Sequence, residues 1–328
     1  FLPYPEPVKS DDEFEIRSQA LLNRNEKVYC AGHGCAGMWE VKSDNSPPGF
    51  VSAEPLPVYE IPNVTPELRL YNPEKSKKEI LSIPIYLFAD ESRMDEAFEI
   101  LQTMLDGYEE WINSLDEEKN NLPEVHRDIA ETNIEKCRIA LGRMKSGFKL
   151  LKNDPSSKIS QAFRFANLAM LMQGLQGSLE KREYVFDMEN RRTGFSKEYK
   201  EIDLKSDEAY KRTWRPFQIA FLLMNIEGIA NPSSEFREIV DLVWFPTGGG
   251  KTEAYLACAS FSMFYRRLQN KEDCGTDIIM RYTLRLLTAQ QFQRAATLIC
   301  SMELIRRDNT EKLGENNFSI GIWVGSAT

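Results

Sequence analysis

Residues 239–252 read IVDLVWFPTGGGKT, an apolar run that leads directly into a glycine loop. The first seven residues have the length and branched apolar content of a buried strand, so we predict a strand over 239–245. Apolar residues then recur at helical spacing over 251–268, which predicts a helix immediately after the loop. A strand, a glycine loop and a helix in this order are the setting in which such a loop binds the phosphates of a nucleotide.

The loop supplies the groups that a bound triphosphate requires. Consecutive glycines let the backbone curl so that its amides point inward at a helix N-terminus, where the helix dipole favours an anion. Lys251 is expected to reach the β- and γ-phosphates and the Thr252 hydroxyl to ligate Mg²⁺, which gives both a catalytic role. Phe245 stands where the motif G-x-x-x-x-G-K-[ST] begins with glycine, and the alternative is a glycine turn with a coincidental Gly-Lys-Thr. The predicted phosphate-binding residues are Thr247, Gly248, Gly249, Gly250, Lys251 and Thr252.

A second group of polar residues lies upstream, at Arg215-Pro216-Phe217-Gln218. A glutamine amide can pair with N6 and N7 of adenine, as it does when proteins read adenine in DNA. We therefore predict that Arg215 and Gln218 bind the base and that the nucleotide is ATP, bound with Mg²⁺. The alternative is an ordinary helix start in which Arg215 and Gln218 are solvated and Phe217 belongs to the core.

Two more strands and one more helix follow the loop. The patterns predict strands over 277–282 and 318–324 and a helix over 289–307. Alternating strands and helices with short connections indicate an α/β fold, in which helices cover a parallel sheet and ATP lies at the carboxyl ends of the strands.

The chain before residue 211 has a different texture. Residues 1–88 contain many prolines and are predicted to form short strands and loops. Residues 89–210 are predicted to be a helical region and linker, with helical patterns from residue 95, over 127–151 and over 162–176, and a charged linker over 187–210. The apolar and aromatic residues of the first pattern are expected in the core; they are Tyr108, Trp111, Ile112 and Leu115.

Composition excludes several classes of protein. The net charge of −9 argues against a protein that coats nucleic acid by bulk attraction, although it allows a local basic groove. No apolar stretch approaches the roughly 20 residues that cross a bilayer, so no membrane contact is expected. Six cysteines in 328 residues indicate reduced thiols and a cytoplasmic setting. Because the chain begins at Phe1 without a signal sequence, we expect that its start has been trimmed.

Three other features have structural explanations that we favour over functional ones. Cys30, His33 and Cys35 supply only three soft ligands, whereas structural zinc takes four, so a tight glycine turn is predicted. Asp90-Glu91 ends an apolar run but lies far upstream of the glycine loop, so a strand end or helix cap is expected instead of a Mg²⁺-binding box. The arginines that end two predicted helices are expected to be solvated caps; they are Arg266, Arg267, Arg306 and Arg307.

Taken together, these motifs resemble those of superfamily 2 helicases. The upstream Arg-x-x-Gln, the loop PTGGGKTE and the segment YTLRLLTAQQ at 282–291 are similar to the first motifs of that superfamily. The last of these is one residue longer than the common form. The resemblance implies that this segment contacts DNA phosphates without reading bases. The predicted DNA-binding residues are Thr283, Arg285, Thr288, Gln290 and Arg294, of which Arg294 is equally a candidate for a surface salt bridge.

A narrower resemblance is to DrmA, the family of helicase subunits of the bacterial DISARM anti-phage system. It is carried by WFPTGGGKTEAYL at 244–256 and RYTLRLLT at 281–288, and also by GHGCA at 32–36 and AFRFAN at 162–167. It implies an ATP-dependent DNA helicase or translocase that acts with a second subunit resembling DrmB. It also implies that residues 211–328 are the first part of a RecA-like P-loop lobe.

Hydrolysis in this superfamily requires an acidic Asp-Glu box and an arginine finger. Neither follows residue 252, so we expect an N-terminal fragment of a motor that is inactive alone. Two alternatives remain open: a non-translocating P-loop NTPase, and an interaction scaffold with a vestigial nucleotide site.

Overall fold

The computed structural model describes residues 13–27, 29–30, 35–41, 46–55, 65–72, 77–180, 182–244, 249–282 and 285–323, without the side chains of residues 72 and 285–288. The chain divides into two compact units. The first comprises Phe1–Thr65 and Glu109–Ile139, and the second comprises Pro66–Tyr108 and Ala140–Thr328. The predicted boundaries near residues 88 and 210 stay a prediction.

The first unit has a small apolar core. It contains helix α1 (Glu13–Leu22) and an antiparallel hairpin of β1 (Ala36–Glu40) and β2 (Phe50–Glu54). The later part of α3 (Met94–Lys119) and the earlier part of α4 (Glu124–Asn153) complete it. Leu21 of α1 is buried with Ile129 and Ala130 of α4, and Leu122 packs against them. Helix α1 lies in a region predicted as strands and loops, but residues 13–22 contain no proline that would oppose a helix.

The second unit is mainly helical. Two antiparallel hairpins accompany its helices: β3 (Arg69–Asn72) with β4 (Lys77–Ile80), and β5 (Tyr184–Asp187) with β6 (Arg192–Phe195). A 3-10 turn over Glu91–Arg93 joins α2 to α3. Besides the remaining parts of α3 and α4, the helices are α2 (Ile85–Ala89), α5 (Lys158–Ser178), α6 (Asp207–Lys211), α7 (Pro216–Ala230), α8 (Lys251–Gln269), α9 (Arg285–Asp308) and α10 (Thr310–Leu313).

Helix α5 lies at the centre of the second unit. It packs against α2, α8 and α9, and α8 packs in turn against α7. More than half of its residues are buried, including Phe163 and Leu171. The buried side-chain amide of Asn167 on this helix has hydrogen-bond partners for both of its polar atoms. Trp214 Nε1 donates to Asn167 Oδ1 at 2.7 Å, and Asn167 Nδ2 donates to the Phe163 carbonyl at 2.8 Å. Because α5 and α7 both pack against α8, the helix that follows the glycine loop is fixed against the core.

A glycine permits the close approach of α4 and α7. A Cβ atom on Gly147 would lie 2.0 Å from the Leu223 carbonyl oxygen, which is well inside van der Waals contact. Any larger residue at position 147 would force the two helices apart.

The structure confirms the helical predictions and a mixed α and β composition. The helices predicted over 127–151, 162–176, 251–268 and 289–307 correspond to α4, α5, α8 and α9. The three strands predicted over 239–245, 277–282 and 318–324 do not form over their described residues, so the parallel sheet is not seen there. A strand requires a hydrogen-bonded neighbour, and none pairs with these segments in the described chain. Val240, Trp244 and Trp323 consequently leave 94%, 89% and 95% of their surface exposed.

The structure confirms some of the predictions for single side chains and contradicts others. Asp90 is a cap, as predicted: its carboxylate accepts from the Ser92 backbone amide at 2.9 Å. Ile112 is buried as predicted, but Trp111 is exposed, which contradicts the prediction that Trp111 belongs to the core.

Arg267 and Arg306 are buried and not solvated, because their guanidinium groups bind backbone carbonyls of the segment 313–316. None of the described helices is long and apolar enough to span a membrane.

Candidate nucleotide site

The glycine loop meets helix α8 through a residue that must be glycine. Gly250 caps the helix with φ of +85° and ψ of 27°, the left-handed region that glycine enters without cost. A Cβ atom there would also lie 2.6 Å from Gln218 Nε2. The 19-residue helix begins at Lys251, and its dipole favours an anion at this end.

Arg215 and Gln218 hold the end of the loop. Arg215 Nη1 donates to the Gly249 carbonyl, and Gln218 Nε2 donates to the Gly250 carbonyl at 2.8 Å. The Gln218 Oε1 atom accepts from the Arg215 backbone amide at 2.9 Å. Two segments that are distant in sequence thus meet at the start of α8. The alternative of an ordinary helix start is confirmed in part, because α7 begins at Pro216 and Gln218 caps it, but Gln218 is buried and not solvated. Its amide is bonded to protein groups, and contact with adenine stays a prediction.

The hydroxyl of Thr252, the predicted Mg²⁺ ligand, belongs to a hydrogen-bond network. Tyr255 Oη donates to Thr252 Oγ1 at 3.1 Å and lies 3.0 Å from Tyr282 Oη. The same phenol is 3.5 Å from Gln291 Oε1 on helix α9. Burial and the hydrogen bond with Tyr255 raise the pKa of Tyr282, so this phenol stays protonated at neutral pH. The network joins the start of α8 to the segment that leads into α9.

The predicted DNA-binding residues are only partly described. Thr283 lies outside the described residues, and Arg285 and Thr288 are in α9 with side chains that are not described. Gln290 is exposed on α9. Arg294 forms an ion pair with Glu253 in the first turn of α8, which agrees with the salt bridge weighed from the sequence. Contact of any of these residues with DNA stays a prediction.

Of the predicted phosphate-binding residues, Thr247 and Gly248 lie outside the described residues, as does Phe245. Gly249, Gly250, Lys251 and Thr252 are described and lie together at the start of α8. Left-handed glycine geometry at a helix N-terminus, with a hydroxyl in the first turn, fits a nucleotide phosphate and its metal.

The segment before the loop is held by an ion pair that the sequence did not reveal. Arg143 of α4 donates to both carboxylate oxygens of Asp241, at 2.6 and 2.7 Å. Arg143 is 5% exposed, and its guanidinium also lies over the Phe236 ring. Burial is the main reason that the pKa of the neighbouring Cys258 thiol is raised, and the Asp241 carboxylate adds to the effect. No local pattern links positions 143 and 241, so only the folded chain could show this pair.

A cleft of about 880 Å³ lies between α8, α9 and the segments 273–282 and 317–323. Residues 249–252 do not line it, so it is not the nucleotide site. Its walls include Leu256, Met263, Ile278, Phe292 and Phe318. The described residues contain no cluster of three or more His, Cys, Asp or Glu side chains that could hold a metal ion; His33 lies outside them.

Comparison with known proteins finds a DrmA protein, the narrower of the two resemblances that the motifs carry. The chain is 36% identical to the DISARM protein DrmA of Bacillus paralicheniformis over 333 aligned positions, which take in 99% of this chain. The resemblance to DrmA inferred from the motifs is thereby confirmed. The alignment takes in 27% of DrmA, so the chain spans about a quarter of the length of that relative. No protein-family model matches the chain.

Proposed function

We propose that this chain carries the first part of the nucleotide-binding lobe of an ATP-dependent DNA helicase or translocase that serves an anti-phage defence system. The protein would act in the cytoplasm with DNA and with a second subunit resembling DrmB. In this proposal residues 211–328 begin a RecA-like lobe, in which the exposed apolar segments over 239–244, 277–282 and 318–323 would pair as strands of the parallel sheet.

One observation carries the proposal. Arg215 and Gln218, far upstream in sequence, bind the carbonyls of Gly249 and Gly250 at the N-terminus of α8. Such an arrangement links the predicted base-binding residues to the predicted phosphate-binding residues. The similarity to DrmA over nearly the whole chain supports the same assignment.

Each residue has a defined part in the proposed site. Backbone amides of Gly249 and Gly250 and the Lys251 ammonium would bind the phosphates, and Thr252 Oγ1 would ligate Mg²⁺. Bound ATP supplies the free energy of hydrolysis that drives movement along DNA. The residues at the start of α9 would contact the DNA backbone, where Arg294 can exchange Glu253 for a phosphate group.

The proposal predicts that Lys251→Ala removes ATP hydrolysis stimulated by DNA. Loss of one ammonium that stabilises charge on the phosphates lowers turnover by about 100-fold or more. The measurement is ATPase rate with and without DNA on the complete protein, because the chain spans about a quarter of its relative. Lys149→Ala is the matched control, since Lys149 is an exposed lysine on α4.

Equal DNA-stimulated rates in Lys251→Ala and Lys149→Ala would remove the proposal. Hydrolysis by the wild type that ignores DNA across a salt series would indicate a non-translocating P-loop NTPase instead. If ATP produced no shift in the melting temperature of the wild type, an interaction scaffold with a vestigial site would be the better description.

A further inference from the structure

Tyr255 connects the proposed nucleotide site to the proposed DNA-contacting segment. Its phenol lies 3.1 Å from Thr252 Oγ1, 3.0 Å from Tyr282 Oη and 3.5 Å from Gln291 Oε1. Thr252 begins α8, Tyr282 directly precedes the predicted phosphate-contacting run, and Gln291 lies within α9. One half-buried hydroxyl thus contacts all three parts.

The number of protons in this network limits how it can be arranged. A phenol or an alcohol has one proton to donate and two lone pairs to accept with. The single Tyr255 proton faces two acceptors, Thr252 Oγ1 at 3.1 Å and Gln291 Oε1 at 3.5 Å. The bond to Thr252 is the shorter and therefore the stronger of the two, and the bond to Gln291 is at the long limit for a hydrogen bond.

Metal ligation by Thr252 would reverse the direction of these bonds. If Thr252 Oγ1 gives a lone pair to Mg²⁺, its remaining favourable interaction with Tyr255 is to donate its proton. Tyr255 then accepts from Thr252 and can donate to Gln291 Oε1, which shortens the contact with α9. Each hydroxyl keeps its own proton and only turns it towards a new acceptor, so this exchange of hydrogen bonds requires no proton transfer.

We propose that Tyr255 is a positioning residue that couples occupancy of the nucleotide site to the position of the segment at the start of α9. The proposal rests on the function proposed above. A second contact between the same helices, the ion pair of Glu253 with Arg294, lies one turn further along α9 from Gln291 and keeps the helices adjacent. Because this ion pair keeps α9 next to α8, a shift of Gln291 would move the start of α9 relative to the nucleotide site.

The test is the ratio of DNA affinities with and without a non-hydrolysable ATP analogue and Mg²⁺. On the complete protein, this ratio is measured by fluorescence anisotropy of labelled single-stranded DNA at fixed salt. Tyr255→Phe removes the hydroxyl and keeps the ring. We expect Tyr255→Phe to change the ratio of DNA affinities about fivefold or more towards one. Fivefold is the lower end of the affinity changes that allosteric coupling produces.

Tyr265→Phe is the matched control. Tyr265 is on the same helix and also uses its hydroxyl, which donates to the Ala230 carbonyl at 3.1 Å, but it takes no part in the network. Its ratio should equal that of the wild type. Gln291→Ala, at a half-buried position, should reproduce the loss seen in Tyr255→Phe, and it keeps the test valid if that variant folds poorly.

The outcomes distinguish the two proposals. A wild-type ratio of one overturns both the coupling and the motor. A wild-type ratio far from one that Tyr255→Phe and Gln291→Ala leave unchanged overturns the coupling alone. An equal loss in Tyr265→Phe would also overturn it, because the effect would then belong to any hydroxyl on α8.

Discussion

Arg306 shows how a single residue can depart from its local pattern. It is in the last turn of α9, where a basic side chain is typically solvated, yet it is buried. Its guanidinium donates to the Gly314 carbonyl at 2.7 Å and to the carboxylate of Glu303. Glu303 also accepts from Arg307 and from the Phe318 backbone amide. The residues that bury Arg306 lie in the following turn and segment, which no helical period could reveal.

This cluster predicts a pH dependence of stability. Hydrogen bonds from Arg306 are the main reason that the pKa of Glu303 falls from its ordinary 4.5 to about 2. A lowered pKa means that the carboxylate stabilises the fold above about pH 4.5 and loses this effect as the pH falls towards 2. We expect Glu303→Gln to lower the free energy of unfolding at pH 7 by about 1–3 kcal/mol.

Urea unfolding of the chain at pH 7, 5, 4 and 3 measures this effect. The difference between wild type and Glu303→Gln should be constant from pH 7 to 5 and should shrink below pH 4.5. Glu311→Gln, at an exposed position on α10, is the control and should change little. A difference that grew on acidification would contradict the assignment.

Helices α4 and α7 approach each other closely at Gly147. Gly147→Ala should destabilise the chain by about 1–3 kcal/mol, because the new methyl group would meet the Leu223 carbonyl. Gly142→Ala is a matched control on the same helix, where nothing lies within 4 Å of the new Cβ atom. It should instead stabilise by up to about 1 kcal/mol through helix propensity.

Urea unfolding at pH 7 distinguishes these two variants by the sign of the change. Equal behaviour of Gly147→Ala and Gly142→Ala would mean that the helices do not approach as described.

Helices were predicted well from the sequence and strands were not. The period of apolar residues is enough to find α4, α5, α8 and α9, because helical hydrogen bonds join residues four apart. A strand over 239–244 or 277–282 depends on a partner elsewhere in the chain, and the sequence of the segment alone does not specify one. At the site, the start of α8 followed from the glycine motif, whereas the hydrogen bonds from Arg215 and Gln218 to the loop carbonyls were not predicted. The Arg143–Asp241 pair and the Tyr255 network depend on packing between helices.

For the molecule as a whole, the exposed apolar segments and the cleft beside α9 have a common implication. Exposed apolar surface is typical of a face that takes part in an interaction. In the proposed function these segments would pair as strands of the parallel sheet, which would remove their apolar side chains from water.

The proposed function depends on the start of α8 binding the phosphates of ATP. The most direct measurement is equilibrium titration of the complete protein with a fluorescent ATP analogue and Mg²⁺. If Lys251 binds the phosphates, the wild type and Lys149→Ala should bind the analogue saturably, and the dissociation constant of Lys251→Ala should be raised by about tenfold or more, since a charge-assisted bond contributes about 1.5–3 kcal/mol. The same dissociation constant in all three proteins would contradict it.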